Sequence, residues 1–119
     1  MTGALRNVTT GAVIARHVRR ATGWKERLLG FIGRSAIDRE EGLWFDDCSA
    51  IHTIGMRSRI DVVFLDARGA IRRIAVRVRP QRPLIAEPGT CSVVELAPGT
   101  AERIDLLVGD RLLLVPLAG

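Results

Sequence analysis

The chain contains no tyrosine, and its aromatic residues are five: Trp24, Phe31, Trp44, Phe45 and Phe64. A core of 119 residues must therefore be built from Val, Ile and Leu, and a chain this long buries enough surface to fold without staples. Two cysteines, Cys48 and Cys91, are too few for a disulfide framework and read as small buried hydrophobes. Lysine is almost missing too: of 18 basic residues only Lys25 is not arginine, and the net charge is +5. No apolar run approaches the roughly 18 residues of a membrane span, and Met1–Thr10 lacks the apolar stretch of a secretory signal. A soluble cytoplasmic protein is the expectation. The phosphate-cradling glycine loops, the dinucleotide-binding turn and the serine elbow are all missing, which argues against the common nucleotide-binding and hydrolase designs.

What is present reads as strands. Residues 1–10 are small and polar, like a flexible terminus, and 11–119 form the expected single domain. Gly11–Arg19 is a moderately apolar strand. Trp24, Leu28 and Phe31 fall at helical spacing behind Thr22, predicting a short helix over 23–32. Asp61–Asp66 (DVVFLD) is apolar on both parities, as in a strand covered on both faces. After the Ala67-Arg68-Gly69 turn, Ala70–Arg79 alternates: Ile74, Val76 and Val78 on one face, Arg73, Ala75, Arg77 and Arg79 on the other. Prolines 80, 83 and 88 make the next stretch a loop or edge segment. Ser92–Ala97 and Arg111–Val115 are the last strands, with a helical turn between them. The sum is a mainly β (α+β) fold, a compact sandwich or barrel of six to eight short strands with one helix packed on it.

Several of these pieces, in this order and spacing, resemble the family known as domain of unknown function 192. They are Ala21-Thr22, Glu26-Arg27, Leu29-Gly30, Glu41–Phe45, Asp61–Asp66, Val94–Gly99 and Gly109-Asp110. The resemblance covers Ala21 to Val115 and implies a mainly β, sandwich-like fold with no assigned activity. Where many members carry a Trp-Met pair before the central strand, this chain reads Cys48–Met56, with His52 in place of the aromatic.

The residues suited to chemistry are Cys48, His52, Met56 and Asp61. If 50–55 and 60–66 formed a hairpin around Met56–Arg59, His52 and Asp61 would be diagonal neighbours on one face. A carboxylate on the imidazole would then fix its tautomer, as a general base requires. The plainer reading is a pair of buried polar groups satisfying each other, or Asp61 bonding turn amides or an arginine. Cys48 and His52, if extended, lie about 13 Å apart, too far for one metal sphere, so no metal or other cofactor is expected. Glu95, between Val94 and Leu96, calls for a partner such as an arginine.

Three functions follow. The first is a binding or accessory module for a small molecule or protein, with a pocket of Trp44, His52, Met56 and Asp61. The second is an enzyme with His52 as general base oriented by Asp61. The third is weak nucleic-acid or anionic-surface binding through Arg68, Arg72, Arg73, Arg77, Arg79 and Arg82, which otherwise form a solvated strand face. A monomer or weak dimer is expected.

Overall fold

The computed structural model describes residues 1–23, 26–27 and 30–117. Within them lie nine strands: β1 (Thr2–Asn7), β2 (Val13–Arg20), β3 (Glu41–Asp46), β4 (Ala50–Ile51), β5 (Ile60–Leu65), β6 (Ile71–Val78), β7 (Ile85–Ala86), β8 (Ser92–Leu96) and β9 (Leu112–Pro116). A four-residue helix, α1 (Thr100–Arg103), precedes β9. Seven strands make one sheet in the order β6-β5-β8-β3-β2-β1-β9, and β4 pairs with β7 in a small second sheet. Every pairing is antiparallel except β2 with β3, so the large sheet is mixed. In the connection between those two parallel strands, Phe31, Ile32 and Ile37 lie against one face of the sheet. The helix expected over 23–32 turns on Trp24, Leu28 and Leu29, which lie outside the described residues.

The sheet is apolar on both faces because its inner strands are. Along β5 all six residues are buried. Ile60, Val62 and Phe64 enter one cluster with Leu43, Phe45, Met56, Val78 and Val93. Val63 and Leu65 enter the other, with Ile14, Val18, Trp44, Val94, Leu96 and Leu114. The sheet curls around this second cluster until its two edges touch at one bridge, Ala70 to Arg111, without closing into a barrel. The first cluster is roofed instead by Phe31, Ile32 and Ile37 of the crossover and by the segment after β3.

Four expectations need correction. Residues 1–10 are not a frayed end, since β1 lies inside the sheet between β2 and β9. Its apolar content is slight, but Gly3 lets the strands close up: a Cβ there would stand 2.3 Å from the Val115 carbonyl oxygen. The 50–55/60–66 hairpin does not form, because β5 already has β6 on one edge and β8 on the other. Residues 50 and 51 pair with β7 instead. The alternation of β6 breaks before its end. Val62 faces Ala75 and Ile60 faces Val78, so β6 carries one extra residue, with Arg77 at a positive φ of 46°. Past this bulge the parity flips: Ile74 packs on one cluster and Val78 on the other, leaving Val76 exposed. Lastly, Cys91 is exposed and Cys48 only half-buried; both are free, with the Cys48 N–H donating to the Cys91 carbonyl at 3.1 Å.

Candidate functional site

On the roofed face a partly open cavity of 120 Å³ is lined by Phe45 and Glu95 from the sheet and by Arg27, Gly30 and Ile32 from the crossover. Cys48, Ala50, Ile51, His52 and Met56 line its other wall. Strand parity places the floor. Phe45 and Val93 face this side of the sheet, and Glu95, two residues beyond Val93, must point the same way. Its carboxyl is therefore carried into an apolar layer, with the side chain 4% exposed. Among the described residues no donor bonds it. Burial alone pushes its pKa up to about 7, so near neutral pH it exchanges between acid and carboxylate. Gly30 leaves room beside it: a Cβ at that position would sit 3.1 Å from the carboxylate oxygen.

The wall opposite is a loop held by Thr53. Its hydroxyl donates to the Arg79 carbonyl and accepts from the Arg82 N–H, both at 2.8 Å. The Thr53 N–H donates to the Arg82 carbonyl at 2.8 Å, and its carbonyl accepts from Gln81 at 2.9 Å. With Thr53 fixed and fully buried, its neighbour His52 lines the cavity, half-buried, with Nδ1 buried and unbonded among the described residues. The Cys48 thiol donates to the Ala50 carbonyl at 3.1 Å, and burial raises its pKa, so it stays a thiol. Among the described residues no three His, Cys, Asp or Glu side chains gather closely enough to hold a metal ion.

Of the four residues expected at one pocket, the structure brings together His52 and Met56. Trp44 points to the other face, where its indole N–H donates to Asp46 at 2.8 Å beneath the Arg20 guanidinium. Asp61 is fully buried and serves the backbone. Its Oδ1 accepts from the Arg77 N–H at 2.9 Å and the Gly99 N–H at 3.2 Å, and Oδ2 accepts from Ala101 at 2.9 Å. These bonds lie on the far side of β5 from His52, so Asp61 does not orient the imidazole. Glu95 and Thr53 were not singled out for the site. A carboxylate inside an apolar strand was the available signal for Glu95, but the arginine expected to pair with it is not bonded to it among the described residues.

A mixed, curled sheet with a small, mostly apolar cavity on its roofed face is the class of protein these features define. The family described as "Uncharacterized ACR", domain of unknown function 192, matches residues 6–114, and the chain belongs to it. Among solved structures, a candidate transcription regulator from Sinorhizobium meliloti is similar at 24% identity and a TM-score of 0.81, over 95% of this chain and 92% of that one. A protein of unknown function from Novosphingobium aromaticivorans is similar at 22% identity and a TM-score of 0.79, over 95% and 84%. A candidate exported protein from Burkholderia pseudomallei shares 15% identity and a TM-score of 0.52, over 96% of this chain but 24% of its own. These likenesses show the fold alone. No curated protein matches the chain. No helix among the described residues is long and apolar enough to cross a membrane.

Proposed function

We propose that the chain is a small-molecule binding module whose site is the cavity floored by Phe45 and Glu95 and walled by Cys48, His52 and Met56. The observation that carries this reading is Glu95. Its carboxyl lies in an apolar layer with no donor bonded to it among the described residues, and a ligand that brings an N–H or O–H can bond it there. The cavity is slightly smaller than the engineered one of about 150 Å³ that holds benzene, so the ligand, or the part of it that enters, is about one small ring in size. Its body is apolar, against Ile32, Phe45, Ile51 and Met56, and it presents an N–H or O–H to Glu95. His52, with Nδ1 facing no other partner among the described residues, can accept a second hydrogen bond. A cytosolic setting belongs to the same reading.

Phenol and benzylamine, with benzene as the donor-free control, test it by protein-observed NMR. The expected result is that the two donors shift the resonances of Phe45, Met56 and Glu95 saturably, more tightly than benzene does. Glu95→Leu should reverse that order. If none of the three perturbs those residues, or if Glu95→Leu leaves the preference for the donors intact, the reading fails.

A further inference from the structure

On the outer side of β6 five arginines line one groove of 420 Å³: Arg59, Arg73, Arg77, Arg79 and Arg82. The other lining residues are Ala75, Val76 and Val78, so no acidic side chain and no aromatic ring lines it. Two of the arginines expected in a basic stripe go elsewhere. Arg72 donates to the Pro88 carbonyl at 2.9 Å, and Arg68 borders a different depression, beside Asp66. The bulge gathers the rest, since it turns Val76 and Arg77 outward and brings Arg59 over the strand.

The guanidinium groups of Arg59, Arg73 and Arg77 are held rather than splayed. Arg59 Nη1 donates to the Arg77 carbonyl at 3.1 Å. Arg73 donates to the Ala86 carbonyl at 3.0 Å, with its guanidinium 5.7 Å from the Phe64 ring centre. Arg77 pairs with Glu102, which takes up one of the five charges. Arg79 and Arg82 have their backbones clamped by Thr53, and among the described residues their side chains bond nothing. Guanidinium groups fixed in advance lose less entropy when they bind an anion, and their planar forks suit phosphate oxygens.

We propose that this groove binds the sugar–phosphate backbone of a nucleic-acid duplex without reading its sequence. A concave row of four arginines, none paired with a carboxylate among the described residues, fits phosphates strung along a strand. Without aromatic rings it offers no platform for unstacked bases, which single-strand binding uses. The bulge at Val76 and Arg77 interrupts the free edge of β6, so an acidic peptide cannot add to the sheet as a regular strand. The groove is separate from the Glu95 cavity, and the two readings stand or fall independently.

The test is fluorescence anisotropy with a short labelled DNA duplex of mixed sequence, titrated at about 50 and 200 mM salt. Four neutralised phosphates predict a slope near −3.6 in log K against log salt, a loss of roughly 150-fold across that range. Arg79→Glu with Arg82→Glu should weaken binding at low salt by at least about tenfold and flatten the slope by about two. Arg79→Gln with Arg82→Gln serves as the milder pair if the reversal disturbs folding. The control, Arg16→Glu with Arg39→Glu, carries the same change of net charge on exposed residues outside the groove and should retain most of the binding. No binding at the lower salt overturns the proposal, as does equal weakening by the control pair. Vesicles containing phosphatidylserine are the competing anionic surface; if they bind through Arg79 and Arg82 and the duplex does not, the groove is a membrane contact and the proposal is wrong.

Discussion

Glu95 has a consequence for stability that is independent of any ligand. In the folded chain its carboxyl keeps a proton up to about pH 7, whereas an unburied glutamate releases it near 4.5. Between those values the folded chain binds the proton that the unfolded chain has given up. The contribution of this group is therefore most favourable at about pH 4.5 and below, falls as pH rises, and is fully lost above pH 7. The gap corresponds to about 3 kcal/mol at most. Glu95→Gln removes the titrating group at nearly constant shape. Urea unfolding should show the variant close to wild type at pH 5 and more stable by up to about 3 kcal/mol at pH 8. A difference that does not change between those two pH values would mean that the carboxyl titrates normally.

At the scale of elements the decisive joint is Asp61, which ties the β6 bulge to the start of α1. The bulge frees the Arg77 N–H, the turn frees those of Gly99 and Ala101, and one carboxylate accepts all three in a site without water contact. Asp61→Asn keeps the size but turns an amide NH₂ toward donors, leaving at least one N–H unbonded. We expect a loss of about 2–4 kcal/mol in urea unfolding. Asp66→Asn is the comparison, because Asp66 likewise accepts from the Arg68 and Ala70 N–H groups but at the solvent-facing hairpin turn, where water can replace the lost bond, and should cost clearly less than Asp61→Asn. A loss below about 0.5 kcal/mol at Asp61 would show that the bulge holds itself. The strands were legible wherever a local rule sufficed. Val13–Arg20, Ile60–Leu65, Ser92–Leu96 and the turn at 67–69 follow from β-branched runs bounded by glycine and proline. The bulge was not, since the extra residue is selected by amides of residues 99 and 101. The site was half legible for the same reason. His52 and Met56 are close in sequence and meet, whereas Glu95 reaches them only through the pairing of β3 with β8. Trp44 was misassigned because Leu43-Trp44-Phe45 is buried on both faces, so apolarity gives no parity; it is Phe45 that faces the cavity.

For the molecule as a whole, the question is what keeps a seven-stranded sheet curled when its edges share a single bridge. The bonds around that bridge run through the Gly109-Asp110 turn. Ile71 N–H donates to the Asp110 carbonyl and Gly109 N–H to the Ile71 carbonyl, both at 2.8 Å, while Leu112 N–H donates to Gly69 at 2.9 Å. The turn is itself fixed by Asp110, whose carboxylate accepts from Asn7 Nδ2 at 2.9 Å and from the Leu107 N–H at 3.1 Å. Asn7 completes the lock by accepting from the Thr9 and Thr10 N–H groups at 3.0 and 3.3 Å. Both side chains are buried, so the pair joins β1, the first element, to the last turn before β9 without competition from water. Asn7→Ala removes one donor and one acceptor there and leaves the Asp110 carboxylate with one partner fewer, an expected cost of about 2–3 kcal/mol. If the lock governs curvature rather than only local stability, the effect reaches the opposite edge. Amide exchange at Leu112, paired directly with Asn7, and at Ile71, on the opposite edge of the sheet, should both accelerate more than exchange at Val63 and Val94 in the middle of the sheet. Uniform acceleration at all four amides would instead mean that Asn7 contributes only to global stability, and that the curl is set by the packing of Leu5, Leu65, Leu112 and Leu114 inside it.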